Sequence, residues 1–204
     1  MKENRLIKYE KNQLQRIANA VTITNKLLVS SERKRIIELF CNHPDFFIKR
    51  ISENYPLNNY LIEKYRDVWN WREIGFNVKI NRNEELIVKY RNKWDWETLG
   101  SREDIIWSLP LIGEFKSNRE LFKGLSKNKN FPWSDELINL YRDNWNWQEL
   151  GENEGIKWTE SNVTDNFQED NLWKGISRNR NFKCSVDFIN KHYNSLDWEY
   201  FSAN

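Results

Sequence analysis

One arrangement of polar and apolar positions recurs along most of the chain: an Asn, Ser or Thr, followed by apolar residues three, four and seven positions later. It reads Asn58 with Leu61, Ile62 and Tyr65; Asn83 with Leu86, Ile87 and Tyr90; Ser108 with Leu111, Ile112 and Phe115; Ser134 with Leu137, Ile138 and Tyr141. That spacing places the apolar side chains on one face of a short helix. The leading polar residue has the chemistry of an N-cap, whose side-chain oxygen accepts from the free N–H groups of the first turn. The series continues at Thr159 and Ser185, so six helix starts follow one another at intervals of 25 or 26 residues.

A second, shorter helix follows in each unit. Asn70, Asp95 and Asn146 stand between tryptophans in Trp-Asn/Asp-Trp and are placed to cap helices that end at Ile74, Leu99 and Leu150. Gly or Ser comes next at positions 75, 100, 126, 151, 177 and 202. A helix commonly ends on a left-handed residue of this kind, and the pattern predicts that role here. Two helices per repeat make the chain all-α, an α-solenoid of helix–turn–helix units.

All eleven tryptophans fall in three columns of the repeat. Trp107, Trp133 and Trp158 precede a cap; Trp69, Trp94 and Trp145 open the second helix; Trp71, Trp96, Trp147, Trp173 and Trp198 lie in its first turn. Rings that recur once per unit are suited to fill the space between neighbours, each burying about 150–250 Å². Residues 1–57 match the repeat less well. Leu14, Ile17, Val21, Leu27 and Leu28 suit one amphipathic helix, a second runs near Glu32–Phe40, and Asp45–Ile51 leads to Ser52 as a repeat's short helix leads to its terminator. The expected division is a divergent helical N-terminal cap over 1–57 and an array of about six Trp-rich repeats over 58–204; the alternative for 1–57 is a separate docking element.

Composition narrows the classes of function. With 39% hydrophobic and 30% charged residues the chain has apolar material for a core, and its net charge of +2 gives no bulk attraction to nucleic acid or to membrane. Apolar runs such as Ile105-Ile106-Trp107 fall far short of the roughly 20 residues that span a bilayer. The first residues lack the uninterrupted apolar stretch of a secretory signal, so the expected location is cytoplasmic. Cys41 and Cys184 lie far apart and are read as reduced, structural thiols; neither they nor His43 and His192 have metal-ligand spacing. No metal and no cofactor is expected.

The segments Tyr65–Gly75, Tyr90–Gly100 and Tyr141–Gly151, the last reading Tyr-Arg-Asp-Asn-Trp-Asn-Trp-Gln-Glu-Leu-Gly, carry a resemblance. The chain resembles tryptophan-rich short repeats of uncharacterised bacterial proteins, whose units read approximately LIxKYKDKWDWxxLSxNxxLPWS. It covers about residues 55–202. Glu120-Leu-Phe122, Asn171-Leu-Trp173 and Leu196-Asp-Trp198 depart from the Trp pair. The resemblance implies an architecture and no activity.

Three classes of function remain to be weighed. The sequence has no Gly-rich phosphate loop, HExxH, CxxC or nucleophile elbow, and Glu152 with Glu154 reads as a solvated loop rather than an acid–base pair, so no enzyme is expected. Nucleic-acid binding is the alternative reading. A basic column eight residues after the caps, Arg66, Arg91, Lys116 and Arg142, with Lys127, Lys129, Arg178 and Arg180 in the inter-repeat loops, could follow phosphates beside aromatic rings. Glu152, Glu154, Asp67 and Asp143 interrupt such a track. The favoured reading is a protein-interaction module, an adaptor, inhibitor or immunity-type binder, because apolar columns are held while loops switch among Lys-Asn-Lys, Glu-Asn-Glu and Arg-Asn-Arg. The same eight basic residues are then the candidate partner-binding positions.

Overall fold

The structure is a computed structural model that describes residues 15–23, 33–166 and 168–202. Helix is the only regular element among them. Leu14, Leu27 and Leu28, which the apolar pattern assigns to the first helix, lie outside the described residues. The chain divides into two compact units, one ending at Asn81 and one beginning at Arg82.

The first unit contains α1 (residues 15–23), α2 (Arg33–Asn42), α3 (Pro44–Asn54), α4 (Asn59–Lys64) and α5 (Trp71–Phe76). Phe40 of α2 and Phe47 of α3 stack with ring centroids 3.9 Å apart, and α3 packs on α5. The second unit runs α6 (Glu84–Lys89), α7 (Trp96–Gly100), α8 (Leu109–Glu114), α9 (Arg119–Lys127), α10 (Asp135–Leu140), α11 (Trp147–Glu152), α12 (Glu160–Asp165), α13 (Asp170–Arg178), α14 (Val186–Lys191) and α15 (Trp198–Phe201). Within it α7 packs on α9, α9 on α11, α11 on α13 and α13 on α15.

The six caps stand where the polar–apolar pattern puts them. Asn58, Asn83, Ser108, Ser134, Thr159 and Ser185 each accept, through the side chain, the backbone N–H three residues on. Asn70, Asp95 and Asn146 do the same for α5, α7 and α11. Caps worth about 1 kcal/mol each matter more than usual here, because a six-residue helix has barely begun to gain from propagation. The rest of its stability comes from burial of Ile62, Ile87, Ile112 and Ile138, each at most 3% exposed.

Tryptophan fastens the second helix to the first. The indole N–H of Trp69, Trp94 and Trp145 donates to the carbonyl of Ile62, Ile87 and Ile138. Those of Trp71, Trp96, Trp147 and Trp198 donate to the carbonyl five residues earlier. Eight of the eleven rings are buried; Trp96 and Trp133 are half-buried, and Trp198 in the last repeat is 36% exposed.

The glycines do not have the role expected of them. None of Gly100, Gly124, Gly151 and Gly175 has a left-handed backbone; each sits where two helices cross. A Cβ on Gly124 would fall 2.2 Å from the Glu97 carbonyl oxygen, and one on Gly175 2.2 Å from that of Gln148. A Cβ on Gly100 or Gly151 would come within 2.6 or 2.8 Å of the carbonyls of Leu121 and Leu172. The pairs α7/α9 and α11/α13 therefore meet backbone to backbone, which only hydrogen at the Cβ position permits.

Helix length alternates with these contacts. The nine-residue helices α9 and α13 carry Ser126 and Ser177 four residues after a buried ring. Ser126 and Ser177 donate to the Phe122 and Trp173 carbonyls and accept from the backbone N–H of Asn146 and Asp197, the caps of the next short helices. Ser52 of α3 accepts likewise from Asn70. A short glycine-bearing helix followed by a long serine-bearing one is thus the structural period of the second unit.

That period makes a prediction. Excising residues 134–184 joins α9 to α14–α15, so that Ser126 receives the Asp197 N–H as Ser177 does; the shortened protein should melt cooperatively with a helical circular dichroism spectrum. Excising 134–158 alone sets α9 before α13, with the Ser126 side chain where Gly151 leaves room for backbone. That product should be unfolded or far less stable, and equal stability of the two deletions would contradict the period.

Candidate interaction surface

Behind four of the six second helices stands a buried asparagine. Asn77, Asn128, Asn153 and Asn179 are at most 3% exposed. Each Nδ2 donates to two carbonyls about a repeat earlier: Asn77 to Ser52 and Tyr55, Asn128 to Gly100 and Arg102, Asn153 to Ser126 and Asn128, Asn179 to Gly151 and Asn153. Each Oδ1 accepts the backbone N–H two residues on, at Lys79, Asn130, Gly155 and Asn181. One amide thus closes its own turn and ties it to the turn before. Behind α7 the position is held by Arg102, which pairs with Asp104 at 2.9 Å, and behind α15 it lies outside the described residues.

The charges flanking these asparagines pair between repeats. Lys127 contacts Glu97 at 2.6 Å and Glu149 at 3.6 Å, Arg178 contacts Glu152 at 3.0 Å, and Lys129 contacts Glu154 at 2.6 Å. Lys123 adds a second ammonium to Glu97. Hydrogen bonds from Lys123 and Lys127 hold the Glu97 carboxyl below its usual range, and Lys129 does so for Glu154. Glu97 raises Lys127 in return, and Glu152 raises Arg178. Arg180 is exposed and acts on Glu154 through space. The switch from Lys-Asn-Lys to Glu-Asn-Glu to Arg-Asn-Arg is therefore complementarity along the array, and Glu152 and Glu154 are separate ion-pair partners.

The basic column is also largely matched. Arg66, in the first unit, pairs with Glu63 at 2.8 Å and Asp67 at 3.6 Å. In the second, Arg91 pairs with Glu114 at 3.0 Å and lies over Phe115. Arg142 pairs with Glu169 at 3.1 Å, donates to Asn166 at 2.6 Å and lies over Trp147. In Arg91 and Arg142 the guanidinium itself thus lies over a ring while it meets a carboxylate. Lys116 differs: it is exposed in the turn between α8 and α9, beside an open cleft.

His192 caps the end of α14 in the place held by Tyr65, Tyr90, Phe115 and Tyr141 in earlier repeats. It stacks on Trp173 at 4.8 Å and leans on Phe188 at 4.6 Å, with Nε2 buried and without a hydrogen-bond partner. Burial, with Lys191 beside it, pushes its pKa below 6.5. It packs as a ring.

Among the described residues no group of three His, Cys, Asp or Glu side chains could hold a metal ion, and no helix is long and apolar enough to cross a membrane. Cys41 and Cys184 are free. Comparison of the chain with protein-family models, with curated proteins and with solved structures returned no match.

Two predictions follow from the buried polar groups. Asn153→Ala strands two carbonyls and the Gly155 N–H and should cost about 2–4 kcal/mol in denaturant titration, whereas Asn181→Ala, at an exposed amide, should cost about 0.5 kcal/mol or less. Equal losses would remove the asparagine's structural role. Because the folded-state pKa of His192 is lowered, its contribution to stability is full above about pH 6.5 and is lost as the pH falls through the lowered value. The melting temperature should drop between about pH 7.5 and 5, and His192→Tyr, which restores the ring of the earlier repeats, should reduce that drop.

Proposed function

We propose that this chain is a non-enzymatic protein-interaction module, an α-solenoid of stacked helix pairs that presents changing side chains on a repeated frame. The observation that carries this reading lies just after the caps of the first helices. Asn59-Tyr60, Glu84-Glu85, Leu109-Pro110, Asp135-Glu136, Glu160-Ser161 and Val186-Asp187 occupy equivalent, almost entirely exposed positions and change from aromatic to acidic to aliphatic. Beneath them one position stays Ile or Val in every repeat (Ile62, Ile87, Ile112, Ile138, Val163, Ile189), and its neighbour is Leu in the first four and Asn162 and Phe188 in the last two. Variation confined to one outward stripe of a fixed scaffold is how repeat arrays distinguish partners.

Electrostatics supports a protein rather than a nucleic acid as partner. Arg66, Arg91, Arg142, Lys127, Lys129 and Arg178 all have carboxylate neighbours within the array, so their charge is locally balanced. A phosphate track gains affinity by releasing counterions from the nucleic acid, and prepaired cations must first give up their own carboxylates. A cytoplasmic location belongs to this reading, and the free thiols of Cys41 and Cys184 are compatible with it.

Fluorescence anisotropy with mixed-sequence single-stranded DNA and RNA tests the reading. Weak or no binding is expected at about 150 mM salt, together with capture from lysate of a partner that survives nuclease and is lost to protease. Tight, salt-sensitive oligonucleotide binding that disappears when Arg66, Arg91, Lys116 and Arg142 become Gln would falsify it.

A further inference from the structure

Three departures from the repeat's own pattern meet at one place on the second unit. A cleft of about 770 Å³ lies between the third and fourth repeats, lined by Gly113, Lys116, Ser117, Arg119, Leu140, Tyr141, Asp143 and Asn144. It is built by the end of α8, the turn into α9 and the end of α10.

The first departure is Gly113, inside a six-residue helix, where the equivalent residues are Glu63, Val88, Asn139, Thr164 and Asn190. Glycine within a helix costs about 0.5–1 kcal/mol relative to alanine. Gly100, Gly124, Gly151 and Gly175 offset that cost by allowing helices to cross, but Gly113 gains nothing of the kind. A Cβ there would meet only the Tyr141 hydroxyl, at 3.9 Å, and its φ is not left-handed. What the missing side chain leaves is open floor beside that hydroxyl.

The second departure is Leu140, 69% exposed, where the other repeats place Lys64, Lys89, Glu114, Asp165 and Lys191. An apolar side chain at the one charged column of the first helix raises the apolar share of this cleft's wall. The third is cationic. Lys116 and Arg119 are exposed, and among the described residues neither is in an ion pair, unlike the other three members of the basic column. Arg119 reaches the cleft because α9 begins a turn earlier than α7 or α11. Asp143, which also lines the cleft, leaves a net surplus of one positive charge, suited to single carboxylates rather than to a phosphate backbone.

We propose that this cleft binds an acidic, leucine-type segment of a partner protein, its carboxylates meeting Lys116 and Arg119 and its apolar side chain lying on Leu140 and the floor opened by Gly113. The proposal deepens the interaction-module reading and rests on it. Ser117 and Asn144 supply a hydroxyl and an amide at the cleft's edge; the Asn144 amide already donates to the Lys116 carbonyl and holds the two turns together.

The probe is a peptide of about twelve residues repeating Glu-Leu-Asp, titrated into the full-length protein at about 150 mM salt and followed by amide chemical shifts. Controls are the same peptide with Ser for Leu and with Lys for each acid. Shifts should gather at Gly113, Ser117 and Asn144, with binding about tenfold tighter than for either control. The double variant Lys116→Glu, Arg119→Glu should abolish them. Gly113→Ala separates binding from folding: the melting temperature should rise, while affinity falls by about fivefold or more as the floor fills. Shifts centred elsewhere, equal binding of a control, no binding, or unchanged affinity in Gly113→Ala overturns the proposal. If the protein captures a partner from lysate equally well with and without the double substitution, the cleft fails and the interaction module stands; if it captures none and binds oligonucleotides instead, both fail.

Discussion

A side-chain amide wedged between two turns is the constraint on which the array depends. A unit of 25 or 26 residues ends its second helix with carbonyls that are already buried under the following unit, out of reach of water, and each stranded group costs on the order of 1–3 kcal/mol. Asn128, Asn153 and Asn179 answer this with one group: Nδ2 takes two of those carbonyls and Oδ1 holds the asparagine's own turn. No other side chain of this length presents two donors and an acceptor in one plane. The amide ties each turn to the one before it at α7/α9, α9/α11 and α11/α13 alike, and at the first and last of these the helices also cross so closely that glycine is required.

The same spacing determines the electrostatics. Residues on either side of each asparagine are brought beside their equivalents one repeat away, where like charges would repel and opposite charges attract. Lys127 and Lys129, Glu152 and Glu154, Arg178 and Arg180 alternate in sign accordingly. Exposed pairs of this kind contribute little to stability, so the pattern serves register more than stability. Two interruptions coincide in sequence: Arg102 replaces the asparagine, and the short helices α5 and α7 succeed one another without a long one between them. The compact units divide at Asn81 and Arg82, within that stretch.

What could be read from sequence was what local chemistry decides. Caps, the apolar faces of the first helices and the absence of strand among the described residues depend on residues a few positions apart, and all were legible. Glycine was misread because it has two uses, and the left-handed terminator and the close crossing look alike in one dimension. The ion pairs of the loop charges were not legible, because carboxylate partners such as Glu154 of Lys129 and Glu152 of Arg178 lie 25 and 26 residues away. The constant asparagine inside Lys-Asn-Lys, Glu-Asn-Glu and Arg-Asn-Arg was the available signal, overshadowed by the charges that changed around it. The cleft was legible only in part. Lys116 was a candidate, but its convergence with Arg119, Leu140 and Gly113 depends on where two turns end up.

A repeat array carries its own reference for deciding which residues the fold explains. Most positions in this chain have equivalents in other repeats that do the same job, as Ser52, Ser126 and Ser177 each hold the cap of the helix that follows. A departure that compensates another departure is still structural; His192 fills a tyrosine's place against Trp173, and α9 lacks the tryptophan pair yet buries Phe122 completely. A departure that lowers stability and touches nothing has no such account. Gly113 is in that position: its neighbours neither require glycine nor fill the space it leaves, and the space adjoins two cations and an exposed leucine. Local rules broken at one spot without a gain in packing are what a functional site is expected to show, and this is why the binding proposal is made at Gly113.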